Sequence, residues 1–160
     1  MEIILNFILA FLVSSFLEYI IHRYVLHNKL FPKIFKYHFG RHHGQSRRLN
    51  GIDPDYFKFP KNLKDGLFEI LGIIFLNIIF IPFYFLDIWF FGFIISYSWF
   101  YYFIHRYFHI YPDFFKKILP WHWDHHMGKN QNINWGITNP IFDLIFRTRV
   151  YEERRHRKRN

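Results

Sequence analysis

The sequence contains no cysteine among its 160 residues. This absence excludes disulfides, thiolate metal sites and cysteine-ligated iron–sulfur clusters, and it leaves the redox compartment undetermined. Lysine and arginine are missing from two long segments, residues 1–21 and 66–104, so all 21 basic residues lie in 22–65 and 105–160. The net charge is +9, but the basic residues that produce it alternate along the chain with apolar runs of membrane length. This distribution argues against nucleic-acid binding.

The two segments without basic residues are predicted to cross a membrane. A span needs about 20 apolar residues, and the stretch from Gly66 to His105 is long enough for two. The turn between these two is predicted around Pro82–Asp87, because proline disturbs a helix interior. The predicted spans are 3–26, 66–85 and 88–109.

Two other readings of the apolar runs compete with membrane spans. Buried core helices of a soluble protein usually carry a polar stripe, and residues 93–104 have little of one. A cleavable signal peptide at the amino terminus would need a basic leading region, which this sequence does not have.

Three spans put every lysine and arginine on one side of the membrane, as the positive-inside rule expects of the cytoplasmic face. We therefore expect a single all-α integral membrane domain, residues 1–160, with a helical cytoplasmic cap formed by 28–65 and 110–150. The basic tail, 151–160, is predicted to lie on the anionic membrane surface. The membrane would be the endoplasmic reticulum in a eukaryote and the inner membrane in a bacterium.

Ten of the eleven histidines fall in four short sequence motifs, the words 22–27, 38–43, 105–109 and 122–126. All four lie on the predicted cytoplasmic side. Imidazole is the commonest protein ligand of metals. Ten are too many for one ion with four to six ligands, but they suit two ions with about five each. The candidate ligands are His22, His27, His38, His42, His43, His105, His109, His122, His125 and His126.

The spacing within the words also suits two metals. His105 and His109 are four residues apart and share one face of a helix. His22 and His27 are five apart, about 140° around an α-helix, so they are expected to serve different ions. In the adjacent pairs, such as His125-His126, the neighbours point in different directions and can reach two ions.

The chain repeats itself around these words. Residues 22–44 and 105–128 each contain His-Arg-Tyr, a further histidine, a proline-containing aromatic and basic stretch, and then a histidine and a His-His pair near a glycine. Each copy follows an apolar span. The repeat predicts that two similar halves, with five imidazoles each, join around the metals.

Four acidic residues near the words are candidates for orienting imidazoles, because a metal-binding histidine usually donates its other N–H to a carboxylate or carbonyl. Each can equally be a solvated or interfacial acid. They are Glu18, Glu69, Asp124 and Asp143.

The four words, in this order and with these spans between them, resemble the fatty acid hydroxylase / sterol desaturase superfamily of integral-membrane di-iron enzymes. The resemblance runs from about Glu18 to Thr148. It includes Asn134-Trp-Gly, which corresponds to an Asn-aromatic-Gly of the family and adds Asn134 to the orienting candidates. Arg147 stands where the family's Asp-x-x-Phe-Gly-Thr has glycine, and the word containing His38 is one residue longer than the word containing His122.

The resemblance implies a particular division of the ligands between two irons, for which zinc can substitute in such sites. One metal would be held by His22, His38, His42, His122 and His125. The other would be held by His27, His43, His105, His109 and His126.

The resemblance also implies O2-dependent hydroxylation or desaturation at an unactivated C–H bond of a membrane lipid, such as a fatty acyl chain, sphingolipid, sterol or carotenoid. Electrons would come from a separate cytochrome b5-like or ferredoxin-like protein, which the basic cap can dock. Two other functions fit the residues less well. One is a non-catalytic membrane zinc-binding protein, and the other is a metal transporter, which would need ionisable residues within the spans.

Overall fold

The computed structural model describes residues 2–58 and 66–151, which fold into helices and connecting loops without a β-strand in these ranges. The predicted helical class is confirmed. Residues 59–65 of the predicted cap and 152–160 of the basic tail lie outside the described residues. The described helices are α1 (Glu2–Ile21), α2 (Pro32–Phe35), α3 (Gly44–Arg48), α4 (Leu67–Ile79), α5 (Ile81–Leu86), α6 (Ile88–Ile110), α7 (Pro112–Ile118), α8 (Pro120–Met127) and α9 (Ile141–Ile145).

Two segments that carry histidine words are wound as π-helices rather than α-helices. The first, His22–Leu26, continues α1 without a break, and the second, Lys36–His43, follows α2 and leads into α3. A short 3-10 helix, Pro54–Phe57, lies in the following loop. Irregular windings of this kind occur often at functional sites.

Within the described residues, one helix is both long and apolar enough to cross a membrane, the 24-residue stretch Ile3–Leu26. Much of its apolar surface is exposed, including Ile4 and Phe7. The helix Leu67–Ile79 is also apolar but shorter.

Helices α1 and α6 pack side by side and run in the same direction. Ala10 of α1 is buried against Phe90 and Ile94 of α6, and further along the pair the Ser15 hydroxyl lies 3.0 Å from the Tyr97 hydroxyl. Both helices therefore end at the same side of the molecule, where their last turns carry histidines.

Helix α4 runs antiparallel to α6. Near its start, Ile70 and Ile73 pack on Tyr102, and near its end the Asn77 amide oxygen accepts a hydrogen bond from Ser98, 2.8 Å away. The three helices thus form a stem, with α6 packed against both α1 and α4.

The chain reverses between α5 and α6 at Asp87, within the range in which the sequence predicts a turn. Asp87 is extended, and its carboxylate caps α6 by accepting hydrogen bonds from the backbone N–H groups of Trp89 and Phe90. The same carboxylate accepts from the Asn6 amide at 2.5 Å. This contact ties the start of α1 to the turn.

At the opposite end of the stem, short helices and loops form a cap. Helices α7 and α8 both begin with proline, at Pro112 and Pro120, a position where the missing N–H costs nothing. The loop after α8 passes back across α1 and leads to α9, whose Phe146 packs on Tyr19 with ring centroids 5.2 Å apart.

Arg147 follows α9 in a left-handed conformation, with φ of 56°. Its backbone N–H donates to the Leu144 carbonyl at 3.3 Å, which closes the helix. A left-handed residue with a side chain is strained, and glycine is the usual occupant of such a position. The turn therefore keeps a glycine-type geometry although an arginine occupies it.

We expect Arg147→Gly to raise the free energy of unfolding by about 0.5–1 kcal/mol, because relief of left-handed strain exceeds the extra chain entropy of glycine. Arg48→Gly, at the exposed end of α3, should lower it by about 1 kcal/mol through lost helix propensity. Thermal unfolding of the full chain in detergent, followed by tryptophan fluorescence, checks both signs. A loss of stability in Arg147→Gly would contradict the strain argument.

Candidate metal centre

The histidines of the four words converge in the cap and sort into two groups. The first imidazole group contains His22, His27, His38, His43 and His125. The second contains His42, His105, His109 and His126. Within each group, one nitrogen atom of every ring lies within 4.8 Å of those of the other rings.

His122 lies against the second group without meeting that distance limit. Its ring centroid is 4.6 Å from that of His126 and 5.1 Å from that of His105. Both of its ring nitrogens are buried and have no hydrogen-bond partner. The structure thus brings all ten sequence-predicted ligands together, nine in the two groups and one beside the second.

The two groups touch each other. The ring of His43, in the first group, stacks on that of His126, in the second, with centroids 4.0 Å apart. Because His42 and His43 belong to different groups, as do His125 and His126, each adjacent pair spans both groups. This is the arrangement that the sequence predicts for these pairs.

The sequence predicts that His22 and His27 serve different ions, whereas the structure places both rings in the first group. The reason is the local winding. Five residues cover about 140° on an α-helix, but only about 50° on a π-helix of roughly 4.4 residues per turn. The π-helical segment His22–Leu26 therefore turns both rings toward one place.

The same winding explains the longer second word. On the π-helix Lys36–His43, His38 and His43 are also five residues apart and reach the same group. The extra residue in this word is absorbed by the wider turn, so that His38 remains buried among the other rings.

The division of ligands implied by the resemblance differs from the grouping in the structure. His42 lies in the second group instead of the first, and His27 and His43 lie in the first instead of the second. His122 lies beside the second group rather than in the first. The division of these four between two metals stays a prediction.

The grouping follows the internal repeat. Each residue of the first group corresponds through the repeat to one of His105, His109, His122, His126 and His42. Those five are the second group together with His122. The first half therefore supplies four imidazoles to the first group, and the second half supplies three to the second group with His122 beside them; each half sends one, His42 or His125, across to the other.

Five of the rings have one nitrogen fixed as a donor, because the atom opposite it can only accept. The Nδ1 atoms of His22 and His125 each lie 2.6 Å from a backbone carbonyl, of Trp135 and Ile133 respectively. That of His109 lies 2.8 Å from the Gly51 carbonyl. With the proton on Nδ1, a neutral ring leaves its Nε2 lone pair free.

Carboxylates fix the Nδ1 proton of the other two rings in the same way. His42 Nδ1 lies 2.6 Å from Asp53, and His105 Nδ1 lies 2.7 Å from Glu69. Glu69 also accepts from the Tyr56 hydroxyl at 2.7 Å. These contacts hold both rings in one tautomer and one orientation.

The free nitrogens fit a metal. Nε2 of His42, His105, His109 and His125 is buried without a hydrogen-bond partner, an arrangement that is costly unless another group supplies the missing partner. His22 Nε2 lies 3.0 Å from His38 Nε2, and His27 Nε2 lies 3.2 Å from His43 Nε2. Two nitrogens bound to one ion at about 2.1 Å would be separated by a similar distance.

The rings are also in the protonation state that metals require. Burial, assisted by neighbouring imidazoles, lowers the pKa of His125 to about 3 and that of His27 to about 2. The pKa values of His38, His43 and His126 are likewise well below the ordinary range. These rings are therefore neutral at physiological pH and do not have to lose a proton before binding.

The other four orienting candidates lie around the groups, where their contacts include backbone groups and a neighbouring cation. Glu18 accepts hydrogen bonds from the backbone N–H groups of Ile137 and Thr138 and from the Thr138 hydroxyl. It thereby fixes to α1 the loop whose Trp135 carbonyl accepts from His22.

Asp143 holds the same loop from the other side. Its carboxylate accepts from the backbone N–H groups of Trp135 and Gly136, at 2.8 and 2.7 Å. A side chain at Gly136 would come within 2.1 Å of the Asn139 carbonyl oxygen, so the loop requires glycine at this position.

Asn134 and Asp124 hold the chain that follows α9. The Asn134 amide bonds both backbone groups of Val150, and Asp124 lies 3.7 Å from the Arg149 guanidinium. Arg47, in turn, donates to the carbonyls of His126 and Gly128 at 2.8 Å and so fixes the end of α8.

Sequence reasoning missed Asp53, Tyr56 and the carbonyls of Gly51, Ile133 and Trp135. Asp53 lies in a loop whose path no periodicity predicts, and it also accepts from Gln45. Gly51 differs in that its backbone geometry requires glycine. Its φ is 94°, and a Cβ there would lie 2.7 Å from Pro112, so only glycine brings this carbonyl to His109.

The sequence model of the family described as fatty acid hydroxylase matches residues 7–148 of the chain. This range contains the nine histidines of the two groups, His122 beside them, and the loops that orient the rings. Neither a curated protein nor a solved structure matches the chain.

We expect Asp53→Asn to weaken metal binding by the second group about 10- to 100-fold, because His42 loses the carboxylate that orients it and raises its basicity. Chelator competition with metal analysis of the purified protein measures this effect. Asp113→Asn is the control, since Asp113 is exposed on α7 and pairs with Lys116 at the surface. Equal affinities in the two variants would show that Asp53 does not support a metal ligand.

Proposed function

Because the chain belongs to the fatty acid hydroxylase family, we propose that it is an O2-dependent di-iron oxidoreductase that hydroxylates or desaturates a membrane lipid. One observation carries this proposal. A single apolar cavity of about 620 Å³ reaches both imidazole groups, with His22 and His38 of the first and His42 and His105 of the second in its wall. Its volume is that of a small-molecule site.

The cavity lies within the stem, where it is bounded by α1, α4 and α6. Its wall is mostly apolar and includes Leu17, Ile21, Leu76 and Ile94. A chain of methylene groups fits such a wall, while a polar metabolite would lose its hydration without compensation. The position between helices also lets a lipid enter sideways from the bilayer.

In the proposed arrangement, the spans 3–26, 66–85 and 88–109 cross the membrane and the imidazole groups lie in a cytoplasmic cap. The support is the direction of the helices. Helices α1 and α6 are parallel and α4 is antiparallel to them, so the histidine-bearing ends lie together on the side of the basic residues. A eukaryotic homologue of this arrangement would face the cytosol from the endoplasmic reticulum, and a bacterial one from the inner membrane.

The residues of the two groups would hold two metal ions, five imidazoles to each if His122 joins the second. Bound iron would supply O2 activation and the oxidising power for C–H cleavage. Hydroxylation consumes one O2, two electrons and two protons, inserts one oxygen atom and releases one water. Desaturation with the same reactants removes two hydrogen atoms and releases two waters.

The protein's own part is positioning and exclusion of water. Asp53, Glu69 and the three carbonyls hold the rings, and the apolar cavity directs a lipid carbon toward them. The electrons would come from a separate cytochrome b5-like or ferredoxin-like donor. The basic cap offers such an acidic partner complementary charge.

Iron reconstitution under anaerobic conditions tests the function. The reconstituted full chain, given a reductant and O2 in lipid vesicles, is expected to consume O2 and to add one oxygen or remove two hydrogens from a lipid, as seen by mass spectrometry. His125→Ala should abolish the product, because this ring is a member of the first group. Tight binding of two zinc ions without iron-dependent turnover would instead favour the non-catalytic zinc-binding function.

Gly72 tests whether the cavity is the substrate site. It lies in the cavity wall on α4, and a Cβ there meets open space. We expect Gly72→Leu to lower kcat/KM at least about tenfold by filling the cavity, the size of effect that small changes in an apolar pocket produce.

Gly92→Leu is the matched control, because Gly92 lies in α6, is exposed, and also has open space at its Cβ. Both substitutions favour the helix, so a general loss of folding does not distinguish them. Equal activity in the two variants would exclude this cavity as the substrate site.

A further inference from the structure

The deep end of the cavity is not wholly apolar. Ser14 of α1 and Ser98 of α6 both lie in its wall. Both are buried, with 8 % and 7 % of their surfaces exposed. Each lies on the stem side of the imidazole groups, away from the cap.

Ser14 has a hydroxyl with no hydrogen-bond partner. A buried hydroxyl without a partner is unfavourable. An apolar residue at this position would avoid the penalty. A group that enters the cavity and bonds to Ser14 would also remove it.

Ser98 offers complementary bonding. Its hydroxyl hydrogen is directed to the Asn77 amide oxygen or to the Ile95 carbonyl, both 2.8 Å away. Its oxygen retains lone pairs that can accept. Together the two serines present a free donor and a free acceptor to one cavity, which suits an alcohol better than an ether or a hydrocarbon.

Helix geometry places these hydroxyls at a defined depth. Ser14 is eight residues before His22, and Ser98 is seven before His105. At 1.5 Å per residue, the two serines lie about 10–12 Å along the stem from the turns that carry these imidazoles.

We propose that the deep end of the cavity is a hydroxyl-binding subsite, and that its ligand is an elongated lipid alcohol whose oxygen lies about 10–12 Å from the carbon held at the imidazole groups. This inference rests on the proposed function, because it assigns the substrate class of the same cavity. A flexible long-chain alcohol and a rigid sterol share the required chemistry.

Equilibrium binding to the purified full chain in phosphatidylcholine nanodiscs tests the subsite. The flexible probes are tritiated 1-hexadecanol and hexadecane, and the rigid probes are tritiated cholesterol and cholestane, which lacks the hydroxyl. Each probe is measured on wild type, Ser14→Ala and the control Ser96→Ala. Ser96 is exposed on α6 and bonds the Gly92 carbonyl.

Ser14→Ala is expected to weaken binding of at least one alcohol about five- to tenfold, the usual worth of one hydrogen bond. Binding of the matching hydrocarbon should stay within about twofold, which also shows that the variant is folded. Ser96→Ala should change neither. Whichever alcohol responds identifies the ligand as flexible or rigid.

Unchanged binding of both alcohols by Ser14→Ala would overturn the subsite while leaving the cavity as a lipid site. That result would mean that a water molecule, rather than a ligand, satisfies Ser14. Failure of wild type to bind any of the four probes would overturn the subsite and the proposed substrate cavity together.

Discussion

The structure depends on keeping ten imidazoles packed against one another in the cap, nine of them buried. Nitrogens such as His42 Nε2 and His109 Nε2 are buried with no hydrogen-bond partner among the described residues. Such an arrangement is unfavourable by itself, and a bound metal would relieve it, so that metal affinity would contribute directly to folding stability. The short helices and irregular loops of the cap form a frame that holds the imidazoles in this arrangement.

The frame is interlocked between the two halves of the chain. The loop that follows the second histidine word provides Gly51, Asp53 and, beyond it, Glu69, which orient rings of the second imidazole group. The loop that follows the fourth word provides the Trp135 and Ile133 carbonyls, which orient His22 and His125. Each half therefore depends on the other for the orientation of its ligands, and neither could form its group alone.

The sequence predicted the helical class, the turn near Asp87 and the convergence of the four words, because these follow from apolar length, charge distribution and histidine spacing. It did not predict that His22 and His27 share a group, since their spacing was counted on an α-helix and the π-helix is visible only in the folded chain. The role of Asp53 could not be predicted from the sequence, for a different reason. Its contact with His42 is made across a loop, and no periodic pattern encodes a loop's path.

The crossing of His42 and His125 between the halves has a consequence for the origin of the architecture. If a chain of half this length paired with a second copy of itself around a twofold axis, each copy would keep four imidazoles and lend the fifth to its partner. Such a pair would already contain both groups of five. Joining the copies end to end would then let each half orient its rings differently: His105 is held by Glu69, whereas its counterpart His22 is held by the Trp135 carbonyl.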